Sequence, residues 1–219
     1  MSTFVAVHVN QVPPQKWRSF GPTRHRAAQI RSVAANISQV TGPLDGLSGR
    51  RCIALIDTEN VTISCRNLGY ELSYSRLAEL LRSAAKCVSL HAVLSIDAGD
   101  KGDRAYMEAA GFQVYTRVIR YLPGGRKAAN ADNLFAFRAG VAISRSNAEV
   151  VLLGTGDGQL ADDTVQCIKA LPGQREIMTL SVAGATSTIL EAKRHGSITA
   201  NIEIGLDLLA PAGAAKVAS

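Results

Sequence analysis

The chain predicts an α/β fold, a mainly parallel sheet with helices on both faces, and three observations carry the prediction. From Arg51 onward, short apolar runs alternate with apolar residues at helical spacing. Several runs end beside an acidic residue: Ile53-Ala54-Leu55-Ile56 precedes Asp57, and Val150-Val151-Leu152-Leu153-Gly154-Thr155-Gly156 precedes Asp157. Glycine and proline clusters mark the breaks between elements. Right-handed strand-helix-strand crossovers lay each helix over the sheet, so the strands run parallel and their carboxyl ends share one edge.

Cys52 to Ile56 forms the first, buried strand, and Asn60 belongs to the loop beyond it. Leu77, Leu80, Leu81 and Ala84 recur at helical spacing behind Ser75, an N-capping residue type, which predicts an amphipathic helix over Ser75 to Lys86. Val88 to Ile96 is the second strand. Asp103 to Ala110 is the next helix, closed by Gly111, and Phe112 to Val118 is the third strand. Arg120 to Ala131, with Pro123-Gly124-Gly125 and the pair Arg126-Lys127, reads as an exposed loop. Asp132 opens a helix carrying Leu134, Phe135, Ala136, Ala139 and Ile143. Glu149 to Gly154 is the fourth strand, and Leu160, Thr164, Ile168 and Leu171 stripe the helix after it. Ile177 to Val182, a short helix over Thr186 to His195, and a sixth strand over Ile198 to Ile202 complete the pattern.

At 219 residues the chain suits one core with an appendage. The formal charge of +6 is unevenly placed, with about +5 in the first fifty residues. We therefore divide the chain into a basic N-terminal extension (1–50), the α/β domain (51–207) and a C-terminal tail (208–219). Three readings of the extension stay open: a flexible arm, an organelle transit segment, or an arm that contacts phosphates. Cys52, Cys65, Cys87 and Cys167 form no C-x-x-C pair, which suits a reducing, cytoplasmic setting. No run of about eighteen apolar residues exists to span a membrane.

Carboxylates from distant segments meet at the shared strand edge if the fold is as predicted, and Asp57, Asp132 and Asp157 are the candidates. Clustered oxygen ligands favour magnesium or manganese, and such a metal activates water and stabilises charge on a phosphodiester. Each aspartate has a competing role as a helix N-cap. Glu59 is a secondary candidate that the spacing turns elsewhere. Asn60 either orients Asp57 or holds the loop. Asp162 and Asp163 sit in the first turns of a helix, where the dipole alone favours acids. Arg126 and Lys127, with Arg117 and Arg120, are candidates for the approach to the site and for phosphate contacts. Tyr115, Tyr121 and Phe135 are candidates for base stacking, although Phe135 sits at a position typical of a core.

Ala54-Leu55-Ile56-Asp57-Thr58-Glu59-Asn60, then Asp132-Asn133-Leu134-Phe135-Ala136 after a basic loop, then Leu152-Leu153-Gly154-Thr155-Gly156-Asp157-Gly158 resemble the successive motifs of NYN domains, within the PIN-like nuclease superfamily. Met107 to Phe112 resembles the family's helix leading into its third strand. The resemblance covers about Arg51 to Asp207. It implies a Rossmann-like three-layer sandwich whose acidic cluster binds magnesium or manganese and cuts RNA. By position, Asp57, Asp132 and Asp157 would be the metal-site and catalytic carboxylates, with Asn60 the accompanying polar residue. The chain departs from the family twice. Arg138 stands where members often carry a second aspartate, and Gln159 stands at the second acidic position of the last motif.

Those departures define the main alternative, an RNA-binding or scaffolding module on the same fold with a reduced site. Under the nuclease reading, Asp162 or Asp163 is a candidate to replace the missing carboxylate in part. A haloacid-dehalogenase-like phosphatase is a further alternative, since Gly156-Asp157 followed by Asp162-Asp163 resembles its metal motif. Its nucleophile motif requires Asp-x-Asp, which Asp57-Thr58-Glu59 breaks. The expected partner is RNA rather than a membrane, and an oligomer of identical chains is compatible with the sequence.

Overall fold

The computed structural model describes residues 44–100, 102–123, 126–128, 131–182, 184–190, 195–205 and 208–211. Its centre is a six-stranded parallel sheet of β1 (Arg51–Asp57), β3 (Cys87–Ile96), β4 (Gln113–Val118), β7 (Val150–Gly154), β8 (Glu176–Val182) and β9 (Ala200–Ile204), in the order β4-β3-β1-β7-β8-β9. Two small antiparallel pairs flank it: β2 (Tyr70–Leu72) with β10 (Leu209–Pro211), and β5 (Arg120–Leu122) with β6 (Arg126–Ala128).

Successive side chains of a strand face opposite sides, so each central strand feeds two cores. Cys52, Ala54 and Ile56 join Leu152, Leu180 and Ile202 in one core. That core is covered by α1 (Thr58–Asn67), α2 (Tyr74–Ala84) and α3 (Gly102–Ala109), through Val61, Leu77, Leu81 and Met107. On the other face, Ile53, Leu55, Val151 and Leu153 meet Phe135, Ala139 and Ile143 of α4 (Ala131–Ser144) and Leu160 and Val165 of α5 (Gly158–Lys169). The result is the Rossmann-like three-layer sandwich that was expected.

Several local expectations are corrected. Helix α1 begins at Thr58, where a loop was expected. Its sequence is rich in β-branched residues of modest helix propensity, and only Thr58, Val61 and Cys65 are buried, so its apolar stripe is faint. The N-cap of α2 is Ser73, whose hydroxyl accepts from the Arg76 amide at 3.4 Å, rather than Ser75. Within the stretch expected to be a loop, Arg120–Leu122 and Arg126–Ala128 pair as a hairpin. Of the helix expected over Thr186 to His195, the described part holds a 3-10 turn at Thr188–Leu190, while 191–194 lie outside the described residues. Gly111 does end α3 as expected, at φ 88°, a conformation that glycine adopts without a Cβ penalty.

Described elements also flank 51–207 on both sides. Leu47 is fully buried in the first core, and Leu44–Leu47 forms a 3-10 turn before β1. Leu209–Pro211 pairs with β2, and Leu208 and Leu209 are buried, so the folded unit continues past 207. Three-residue strands are too short to show a periodic pattern in sequence. Of the expected extension, residues 1–43 lie outside the described part, as do 212–219 of the tail.

Candidate functional site

Chain order reverses at β1. From β1 the chain moves outward through β3 to β4, then returns to β7 on the other side of β1. After β1 it enters α1 on one face, and after β7 it enters α5 on the other. The loops therefore part at the carboxyl ends of these two strands, leaving the crevice in which open α/β sheets bind ligands.

Asp57 stands at this crevice as the last residue of β1 and the N-cap of α1. Its Oδ1 accepts the Asn60 amide N–H at 3.3 Å, and its Oδ2 accepts the Thr155 hydroxyl at 3.3 Å. The residue is 7% exposed. Burial pushes its pKa up to about 6; the charges of Asp132 and Glu59 add to that, against the opposing bonds from Asn60 and Thr155. Asp132, in the first turn of α4, is also held above the usual carboxylate range, first by partial burial and then by Asp157 and Glu59. The neighbouring charges that raise these two groups come from carboxylates, with Asp132 and Glu59 acting on Asp57 and Asp157 and Glu59 acting on Asp132.

Asp157 caps α5, its Oδ1 accepting the amides of Gln159 at 2.9 Å and Leu160 at 3.2 Å. The capping reading therefore holds for both Asp57 and Asp157, and it coexists with their shared position at the crevice. Glu59, expected to turn elsewhere, acts on both Asp57 and Asp132, and its Oε2 accepts the Ser95 hydroxyl at 2.9 Å. Ser95 lies near the end of β3, across the sheet edge from α1, and no local sequence signal links it to Glu59.

Asn60 holds the loops together. Its side-chain Oδ1 accepts the Gly156 amide at 2.8 Å, tying the segment after β1 to the segment after β7. A Cβ on Gly156 would stand 2.9 Å from the Ala185 carbonyl oxygen and 3.2 Å from Asn60 Oδ1, so glycine permits this approach. Thr155 is fully buried and serves both aspartates: its hydroxyl donates to Asp57 and accepts from the Asp157 amide at 3.1 Å. Thr155 lies inside the quoted motif, where its role was not legible.

The remaining candidates lie elsewhere or have other partners. Asp162 Oδ1 faces His195 Nε2 at 3.1 Å and accepts from Gln166 at 3.3 Å, while Asp163 accepts from the Gln159 side chain at 3.1 Å. The Arg138 guanidinium lies over the Tyr115 ring, 4.6 Å from its centroid. Phe135 is a core residue at 1% exposure, so it offers no stacking face. Arg126 and Lys127 have backbone positions in β6, and their side chains lie outside the described part.

An all-oxygen, anionic donor set suits a hard divalent cation. Among the described residues, no group of three or more His, Cys, Asp and Glu side chains is arranged to hold a metal ion by itself. Magnesium requires less, since it keeps several waters and is bound through one or two carboxylates. The crevice fits such a hydrated ion better than it fits a protein cage.

Fold and site together define a parallel α/β sandwich with an acidic crevice at its switch point. The chain resembles the crystal structure of a protein of unknown function from Vibrio parahaemolyticus, with a TM-score of 0.60 at 20% identity, over 74% of this chain and 97% of that one. That likeness supports the fold. No protein-family profile matches the chain, and no curated protein matches it. Among the described residues, no helix is long and apolar enough to cross a membrane.

Proposed function

We propose that the protein is a metal-dependent endoribonuclease acting on RNA phosphodiesters, with a hydrated magnesium or manganese ion held through one or two of Asp57, Asp132 and Asp157. The observation that carries this reading is the position of Asp57, 7% exposed at the switch point, its carboxyl pushed up first by burial and then by the charges of Asp132 and Glu59. Such an arrangement is costly to a fold unless a cation offsets it, and perturbed carboxylates in a crevice mark functional sites. When bound, the cation would supply an activated water and stabilise charge on the phosphodiester.

The chain's own residues prepare the crevice. Thr155 and the Asn60 amide fix the two oxygens of Asp57, Ser95 fixes Glu59, and the Asn60 side chain holds the two loops at one separation. Such second contacts keep ligands oriented before a metal arrives. RNA as the substrate follows from the ordered resemblance to NYN motifs.

A second reading, a module that binds RNA without cutting it, is favoured by one observation. At the position where the family often carries another acid, Gln159 is bonded to Asp163, and Asp157 is engaged as a cap. Purified protein incubated with labelled single-stranded and structured RNA, with and without manganese, separates the readings. Manganese-dependent cleavage abolished by Asp57→Asn supports the nuclease. Binding without cleavage under every condition supports the module, and turnover of small phosphate esters through a phosphorylated Asp57 would point to the phosphatase instead.

A further inference from the structure

The groove between α4 and the edge strand β4 contains features that the carboxylate crevice does not use. β4 pairs with β3 alone in the central sheet, and α4 packs over β1, β3 and β4. Asp57, Val93 and Tyr115 occupy one cross-strand row and face the same side, so the groove opens onto the crevice.

Three guanidinium groups follow this groove. Arg117 is exposed and in register with Ser95, the residue bonded to Glu59. Arg138 lies over Tyr115, with its guanidinium 5.8 Å from the Phe137 centroid, and its Nε is buried without a hydrogen-bond acceptor. Arg145, exposed just past the end of α4 and about two helical turns beyond Arg138, lines a cavity of about 350 Å³ with Ser89, His91, Gln113 and Tyr115. Among the described residues, none of the three forms an ion pair.

An exposed aromatic ring stands beside these cations. Phe137, 63% exposed, offers a free face, whereas His91 is buried with its ring nitrogens bonded to Ser89 and the Tyr115 hydroxyl, and one face of Tyr115 is covered by Arg138. Cations without carboxylate partners beside an exposed π face suit a single-stranded nucleic acid, because phosphates take the charges and an unstacked base takes the ring. A duplex keeps its bases stacked and has no use for the ring. The cavity is near the lower end of small-ligand pockets, about 300 Å³, and Gln113 and Ser89 provide donors and acceptors at its wall.

We infer that the α4/β4 groove is a track for single-stranded RNA, with Arg117, Arg138 and Arg145 on successive phosphates and one nucleobase in the cavity beside His91 and Gln113. This deepens the nuclease reading and rests on it. It also gives Arg138, the departure from the family pattern, a use: its charge serves the strand rather than the carboxylates.

The test uses the full chain carrying Asp57→Asn, so that RNA is not consumed, and a fluorescently labelled single-stranded oligoribonucleotide followed by anisotropy over a salt series. Arg117→Glu and Arg145→Glu should each weaken binding by about fivefold or more and reduce the salt slope by about 0.7 per lost phosphate contact. Arg66→Glu, on α1 at the opposite face, should leave affinity within about twofold. Both groove residues are exposed, and Arg117→Gln and Arg145→Gln with thermal melts guard against a folding artefact. Photocrosslinking of 4-thiouridine in the oligonucleotide should mark Phe137 or Tyr115. Normal binding by all the groove variants, or equal affinity for duplex RNA, overturns the track while leaving the nuclease reading intact. Absence of RNA binding by the parent protein overturns both.

Discussion

The side-chain oxygen of Asn60 accepts the Gly156 amide at 2.8 Å, joining the segments that leave two adjacent parallel strands on opposite faces of the sheet. The bond sets the separation between the loops that carry Asp57 and Asp157. Asn60→Ala leaves the Gly156 N–H without its acceptor, which costs about 1–3 kcal/mol. Thermal unfolding should register that loss, and RNA cleavage should fall further than stability does. Unchanged melting and unchanged cleavage would show that the bond does not organise the crevice.

Gly156→Ala tests the same joint from the other side. The new Cβ would meet the Ala185 carbonyl oxygen at 2.9 Å, a backbone atom that cannot step aside without moving its loop. Overpacking of this kind costs about 1–3 kcal/mol. Denaturant unfolding should show a lower midpoint at unchanged slope, with cleavage reduced as the loops separate.

Asp157 separates capping from charge. Asp157→Asn keeps an oxygen for the Gln159 and Leu160 amides, so unfolding stability should stay within about 0.5 kcal/mol, while Asp157→Ala should cost about 1 kcal/mol. Both remove the negative charge, and both should abolish manganese-dependent cleavage if Asp157 serves the metal. Full activity in the asparagine variant would reduce Asp157 to a cap.

Asp57 makes stability depend on pH in a defined direction. The folded protein holds the Asp57 proton up to about pH 6, whereas the unfolded chain releases it near 3.8, so the folded state binds more protons between those limits. Its contribution is fully present below about pH 4 and is lost as pH rises through about 6, an effect bounded at about 3 kcal/mol. Asp57→Asn keeps a capping oxygen without the charge, so the variant should gain stability over the parent at pH 8 and lack this component at lower pH. Denaturant titrations at pH 4, 6 and 8 measure the difference; a variant no more stable than the parent at pH 8 would contradict the buried-charge account.

The α/β class and most strand positions were legible because buried parallel strands read as unbroken apolar runs, as in Ile53 to Ile56 and Val150 to Leu153. Helix α1 was not legible, since its β-branched residues and sparse buried positions hide its period. That Asp57 and Asp157 follow β1 and β7 at one edge of the sheet was legible from type and place. The Glu59–Ser95 bond and the double role of Thr155 were not, because they depend on contacts between segments distant in sequence.

Metal-dependent cleavage requires that the acidic crevice hold a divalent cation. Electron paramagnetic resonance of manganese titrated into the full chain at pH 8 measures this without requiring a substrate. Saturable loss of the free-ion signal, displacement of manganese by magnesium, and loss of the site in Asp57→Asn are expected. An unchanged free-ion signal through millimolar manganese, or equal binding by the parent and Asp57→Asn, would contradict the metal-dependent reading.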